Sequence, residues 1–105
     1  MIKKSEVKIA NQEEMVQLLI SKIDIEPYCE QISNLIKYNA ERGRNVVSYY
    51  KFSFFDDSNN NDMPYHIVKD ATIHLNKLII NTVREAGFTI EESTDDPTMV
   101  YINIK

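Results

Sequence analysis

The chain has 105 residues, 43% of them hydrophobic and 27% charged, with two glycines, three prolines and one cysteine. That length holds one core, so a single compact domain over residues 1–105 is expected, and the composition is that of an ordered chain rather than a disordered one. Sixteen acidic against twelve basic side chains give a formal charge of −4, which weighs against a general nucleic-acid or anionic-membrane binder.

The first ten residues carry Lys3, Lys4 and Lys8 with Val7 and Ile9, a pattern open to a short strand or a loose lead-in. Asn11 followed by Glu14 has the spacing of a capping box, and Met15, Val16, Leu18, Leu19 and Ile23 then predict a short helix ending near Lys22. Asp24 to Pro27 restarts the helical pattern, because proline in a first turn loses no intrahelical hydrogen bond. Tyr28, Ile32, Leu35, Ile36 and Ala40 form its apolar face, and Gly43 closes it.

From Asn45 to Phe55 the period changes to two, and VVSYYKFSFF predicts one long strand. Val46, Tyr50, Phe52 and Phe54 share one face, expected to pack on the helices; Val47, Tyr49, Lys51, Ser53 and Phe55 share the other. The polar run DDSNNNDMP is turn chemistry. The central element follows: His66 to Gly87 places Ile67, Val68, Ala71, Leu75, Leu78, Ile79, Thr82 and Ala86 on one helical face, with Asp62 as a cap and Pro64 at its start. Gly87 supplies a left-handed stop. Phe88 and Ile90, then Val100, Ile102 and Ile104, make a terminal hairpin around STDDP.

The resulting fold is α+β, ordered α-α-β-α-β-β, with a three-stranded, mainly antiparallel sheet covered by helices on one face. The crossover is right-handed and the last strand pairs with its hairpin partner; placing that strand in the middle makes every neighbour antiparallel, and the placement of the loops holds for either order. The loops after the long strand and after the Phe88 strand then leave the same end of the sheet, bringing Asp56, Asp57, Asp62, Glu92, Asp95 and Asp96 together. Such a patch suits a basic partner, while its ordinary reading is a pair of hydrated turns. Counted from Asp57 as a calcium loop, Asp62 and Val68 stand where glycine and glutamate belong, so no metal site is expected.

Cys29 has no partner for an internal disulfide and lies in a first helical turn, where the helix dipole can activate a thiol; the bland alternative is a half-buried small apolar residue. His66 and His74 are eight residues apart, against the four that a helical zinc pair needs. No glycine-rich phosphate loop exists, and no cofactor is expected. The strand with Tyr49 and Phe55, flanked by Lys37, Arg42 and Arg44, has the residue types that stack single-stranded bases beside cations, but it lacks the glycines of the usual RNA-reading signature. Ile73 and Ile80 lie nearly opposite the core face of the central helix and need a cover, either the first helix or another subunit.

A helix ending Ala40-Glu41-Arg42-Gly43, a Val- and Tyr-rich strand, a helix ending Ala86-Gly87-Phe88 and a closing Val100 to Ile104 strand resemble, over residues 28–104, small accessory proteins encoded by bacteriophages. The resemblance implies binding and inhibition of a host protein, or a part in virion assembly, in the host cytoplasm. The chain lacks the closing tryptophan common in that pattern, and no functional residue carries over.

The expectation from sequence is therefore a non-enzymatic protein-interaction module, joining a protein partner or a second copy as a homodimer through Ile73, Ile80, Tyr49, Lys51 and Phe55. A single-stranded nucleic-acid binder using the 45–55 strand and a small enzyme using Cys29 are the alternatives. With no apolar run near the roughly 20 residues of a bilayer span and no signal-like start in MIKKSEVKIANQEE, a cytoplasmic location without a membrane partner is expected.

Overall fold

Asn11 opens the first helix, α1 (Gln12–Ile20), by accepting the Glu14 N–H on its side-chain oxygen at 2.8 Å. That bond satisfies one of the amide donors a helix start leaves over. In this computed structural model, which describes all 105 residues, α2 (Glu26–Ala40) begins with Pro27 in its first turn and the Glu26 N–H on the Asp24 carboxylate at 3.0 Å. It stops at Gly43, whose φ of 73° turns the chain back so that the Gly43 and Arg44 N–H groups reach the Ala40 and Asn39 carbonyls. Strand β1 (Val46–Tyr50), helix α3 (Tyr65–Glu85) and strands β2 (Thr89–Glu92) and β3 (Met99–Asn103) complete the expected order. Ahead of α1 there is one 3-10 turn, Lys4–Glu6, and the first ten residues are all exposed.

The sheet has the order β1-β3-β2 with both pairings antiparallel, so the last strand is central. Val47 and Tyr49 of β1, Ile90 of β2, and Val100 and Ile102 of β3 point to one face. There they meet Ile32 and Ile36 of α2 and Leu75, Ile79, Ile80 and Val83 of α3 in the main core. A second, smaller cluster joins Leu19 of α1 to Ile67 and Ala71 in the first half of α3. No element other than α3 touches α1. With 21 residues α3 is about 32 Å long and runs through both clusters. The two helices thus extend past the sheet as an arm, and the radius of gyration is 17.7 Å, against about 13 Å for a compact chain of this length.

Three expectations are corrected. The strand predicted over Asn45–Phe55 ends at Tyr50, and its inner face is Val47 and Tyr49, not Val46 and Tyr50. Beyond Lys51, whose N–H still pairs with Thr98 O, the chain leaves the ladder because its aromatics find a better cover: Tyr28 of α2 meets Phe52 and Phe54 edge-on at centroid distances of 5.0 and 4.8 Å. Tertiary packing overrides the strand propensity of KFSFF. On α3 the buried face is turned toward Asn76, Ile80 and Val83, leaving Leu78, Thr82 and Ala86 exposed, because the sheet covers that side. Finally, Asp62 does not cap α3; it sits at φ 54°, the cap position is Pro64, and no side-chain capping bond is made.

Candidate functional site

The register of β1 on β3 decides which backbone groups are used. Lys51 N–H donates to Thr98 O at 2.7 Å and Ile104 N–H donates to Asn45 O at 2.9 Å, so the odd-numbered residues of β1 form the hydrogen-bonded pairs. In an antiparallel ladder the alternate residues then point their N–H and C=O the other way. Val46, Ser48 and Tyr50 therefore face the open edge, and their side chains lie on the sheet face away from the helices. Val46 is 55% and Tyr50 64% exposed, and Tyr101 of β3, opposite Ser48, is 42% exposed. Next to this edge an apolar groove of about 300 Å³ runs between β1 and α2, lined by Gln31, Ile32, Leu35, Tyr49, Tyr50 and Phe52.

Just past β1 the chain is held by a side chain of α3. Asn76, buried in the middle of α3, accepts the Phe52 N–H on Oδ1 and donates from Nδ2 to Phe52 O, both at 3.0 Å, and also donates to Thr72 O at 3.0 Å. Nothing local in the sequence singles out Asn76; only the contact with Phe52, 24 residues away, shows its role.

A second concavity of about 510 Å³ lies where α3 diverges from the end of the sheet. Its α3 wall carries Lys69, Ile73, Asn76, Lys77 and Ile80, and its sheet wall Lys51, Phe52 and Glu92. Lys51 and Glu92 form an ion pair at 2.5 Å. The Lys51 hydrogen bond, with Lys51, Arg84 and Lys77 as surrounding cations, holds the Glu92 carboxyl below its usual value of 4.5.

Of the residues expected to form an interaction surface, Ile80 and Tyr49 are corrected: Ile80 is 3% exposed and Tyr49 9%, both in the main core. The sheet covers Ile80, whereas α1 covers Ile67 and Ala71. Ile73 remains 45% exposed, Lys51 is tied to Glu92, and Phe55 is half-buried between the two clusters. The acidic residues leave one end of the sheet but do not converge on a point, and no three carboxylates come together as a metal-holding group. Asp56 binds the Ser58 N–H and hydroxyl, and Asp96 binds those of Thr98; both carboxyls are held below their usual values by these bonds, the hydroxyl bond foremost. Asp57, Asp62 and Asp95 are exposed.

Burial pushes the Cys29 thiol up, Glu26 and Asp24 add to this, and the Thr82 hydroxyl opposes it. That is the opposite of nucleophile activation. Tyr49 and Phe55, the residues proposed to stack bases, point into or against the core, and the outer sheet face with Tyr50 and Tyr101 carries Glu91 and no cation. No helix is long and apolar enough to cross a membrane. Comparison with protein-family models, curated proteins and solved structures gives no match.

Proposed function

We propose that this chain is a non-enzymatic protein-interaction module that receives a partner strand along the free edge of β1. The observation that carries this reading is the coincidence of unpaired backbone groups at Val46, Ser48 and Tyr50 with the apolar groove between β1 and α2. Main-chain hydrogen bonds give such an addition its affinity, and an adjacent pocket gives it selectivity. The stretch VVSYY has no charged residue to repel another strand.

A second copy of the chain fits this edge. Run antiparallel about Ser48, it pairs Val46 with the partner's Tyr50 and Ser48 with the partner's Ser48, and every one of these residues has its backbone turned outward. The Val–Tyr pair is of the aromatic and β-branched kind that stabilises neighbouring strands. Two three-stranded sheets become one of six strands under a two-fold axis.

Size-exclusion chromatography with light scattering should give twice the 12.3 kDa chain mass. Ser48→Pro removes an outward N–H, and Ser48→Lys sets two ammonium groups side by side; both should yield folded monomers. In a Cys29→Ser background, Ser48→Cys should oxidise to a disulfide dimer, since hydrogen-bonded antiparallel pairs stand about 5.5 Å apart at Cα. Dimers unaffected by either Ser48 variant would refute strand addition. A wild-type monomer would leave the edge to a strand from another protein, the host-binding role that the resemblance to phage accessory proteins implies.

A further inference from the structure

The geometry points to the cleft between α3 and the sheet end as a docking groove for a short acidic segment of a partner protein, two carboxylates flanking an apolar side chain. The chain as a whole is acidic, at −4, yet the cleft is lined by three lysines and one carboxylate, Glu92, a local net charge of +2. Lys51 is already paired with Glu92, whereas Lys69 and Lys77 are exposed and make no ion pair. These two lie eight residues apart on α3, about 12 Å along the axis, with exposed Ile73 midway between them.

That spacing selects the ligand. In an extended peptide, residues i, i+2 and i+4 share one face, and i to i+4 spans about 13 Å. An acid-x-apolar-x-acid segment therefore sets one carboxylate by Lys69, its apolar side chain on Ile73 and its second carboxylate by Lys77. A single phosphate or carboxylate is too small to meet both positions. The nearby Asp96 carboxylate accepts the Thr98 N–H and hydroxyl on one oxygen and forms no ion pair with either lysine.

The test uses the full chain and a fluorescein-labelled Glu-Ala-Leu-Ala-Glu peptide, read by fluorescence anisotropy. Saturable binding is expected, weakened about tenfold or more by Lys69→Glu with Lys77→Glu, as expected for the loss and reversal of two surface charges. Lys37→Glu on α2, outside the cleft, should leave it unchanged, as should Ser48→Pro, so failure of the β1 edge reading leaves this one testable. Circular dichroism checks that the charge-reversed protein is folded. Equal binding by the Lys69/Lys77 variant, equal binding of Lys-Ala-Leu-Ala-Lys, or no saturable binding below about 1 mM would overturn the proposal. Complete competition by pyrophosphate at equal concentration would overturn it too, marking the cleft as a small-anion site.

Discussion

Replacing Asn76 by alanine tests the feature that ends β1. The substitution deletes three hydrogen bonds of 3.0 Å and strands the Phe52 N–H and C=O, while Thr72 O keeps its helical N–H. A lost hydrogen bond costs about 1 kcal/mol and a buried polar group left without a partner about 1–3 kcal/mol. Asn76 also lines the 510 Å³ cleft, so water reaches part of the vacated space and the lower half of the range applies, about 2–4 kcal/mol. For a chain of this size that is a fall in Tm of roughly 10–25 °C, read by urea and thermal unfolding.

Asn76→Asp separates the two roles of the amide. An ionised carboxylate still accepts from Phe52 N–H but faces Phe52 O with no donor, and its burial raises its pKa in the folded state. A raised folded-state pKa contributes stability below the unfolded value, about 3.9, that is lost as pH rises through the folded value. The variant should therefore recover toward wild type as pH is lowered. An Asn76→Ala protein within about 0.5 kcal/mol of wild type, the ordinary range of surface changes, would refute the claim that this amide holds the chain off the sheet.

Ile80→Glu, which buries a charge under the sheet, should cost several kcal/mol or unfold the protein, while Ile73→Glu, four-tenths exposed or more, should shift stability by less than about 1 kcal/mol in denaturant titration. Leu19→Ala should cost about 2–4 kcal/mol, and hydrogen exchange should show the loss in α1 and the first half of α3, because α1 contacts no other element. Burial foremost, with Cys29 and Glu92 adding to it, pushes Tyr49 up to about 12. The stability tied to its neutral phenol is complete below about pH 10 and lost as pH rises through 12, so one of the six tyrosines should titrate last by absorbance and together with unfolding.

The parts legible in the sequence are those whose cause is local. Asn11 with Glu14, Pro27 after Asp24, and Gly43 each fix a helix end through bonds to neighbours within a few residues. A right-handed crossover and a terminal hairpin narrowed the strand order without fixing it, and the arrangement found is the one with the last strand central, in which every pairing is antiparallel. What the sequence concealed depends on distant partners. KFSFF continues the alternation of VVSYY, and only Tyr28 and Asn76, on two other elements, draw Phe52 away from the ladder. The same holds for Ile80: periodicity defines an apolar arc on α3 but not which neighbour covers which part, and Leu78 and Ile80 exchanged places accordingly.

The two edges of the sheet are also unequal, and the difference selects β1. On β2 the outward groups belong to Ile90 and Glu92, since Ser93 N–H pairs with Met99 O and fixes the odd-numbered residues as the bonded set. The Arg84 guanidinium reaches Ile90 O at 3.4 Å, placing a cation over that edge, and the Glu92 side chain is held by Lys51. β1 carries no such guard, and its chain is drawn off the ladder only beyond Lys51, where Asn76 holds Phe52. An added strand can therefore use Val46, Ser48 and Tyr50 and must stop there, which limits it to about five residues, close to the usual length of a strand. A second β1 has that same length and the same outward set, so the limit set by where β1 leaves the ladder is one this chain's own strand already meets.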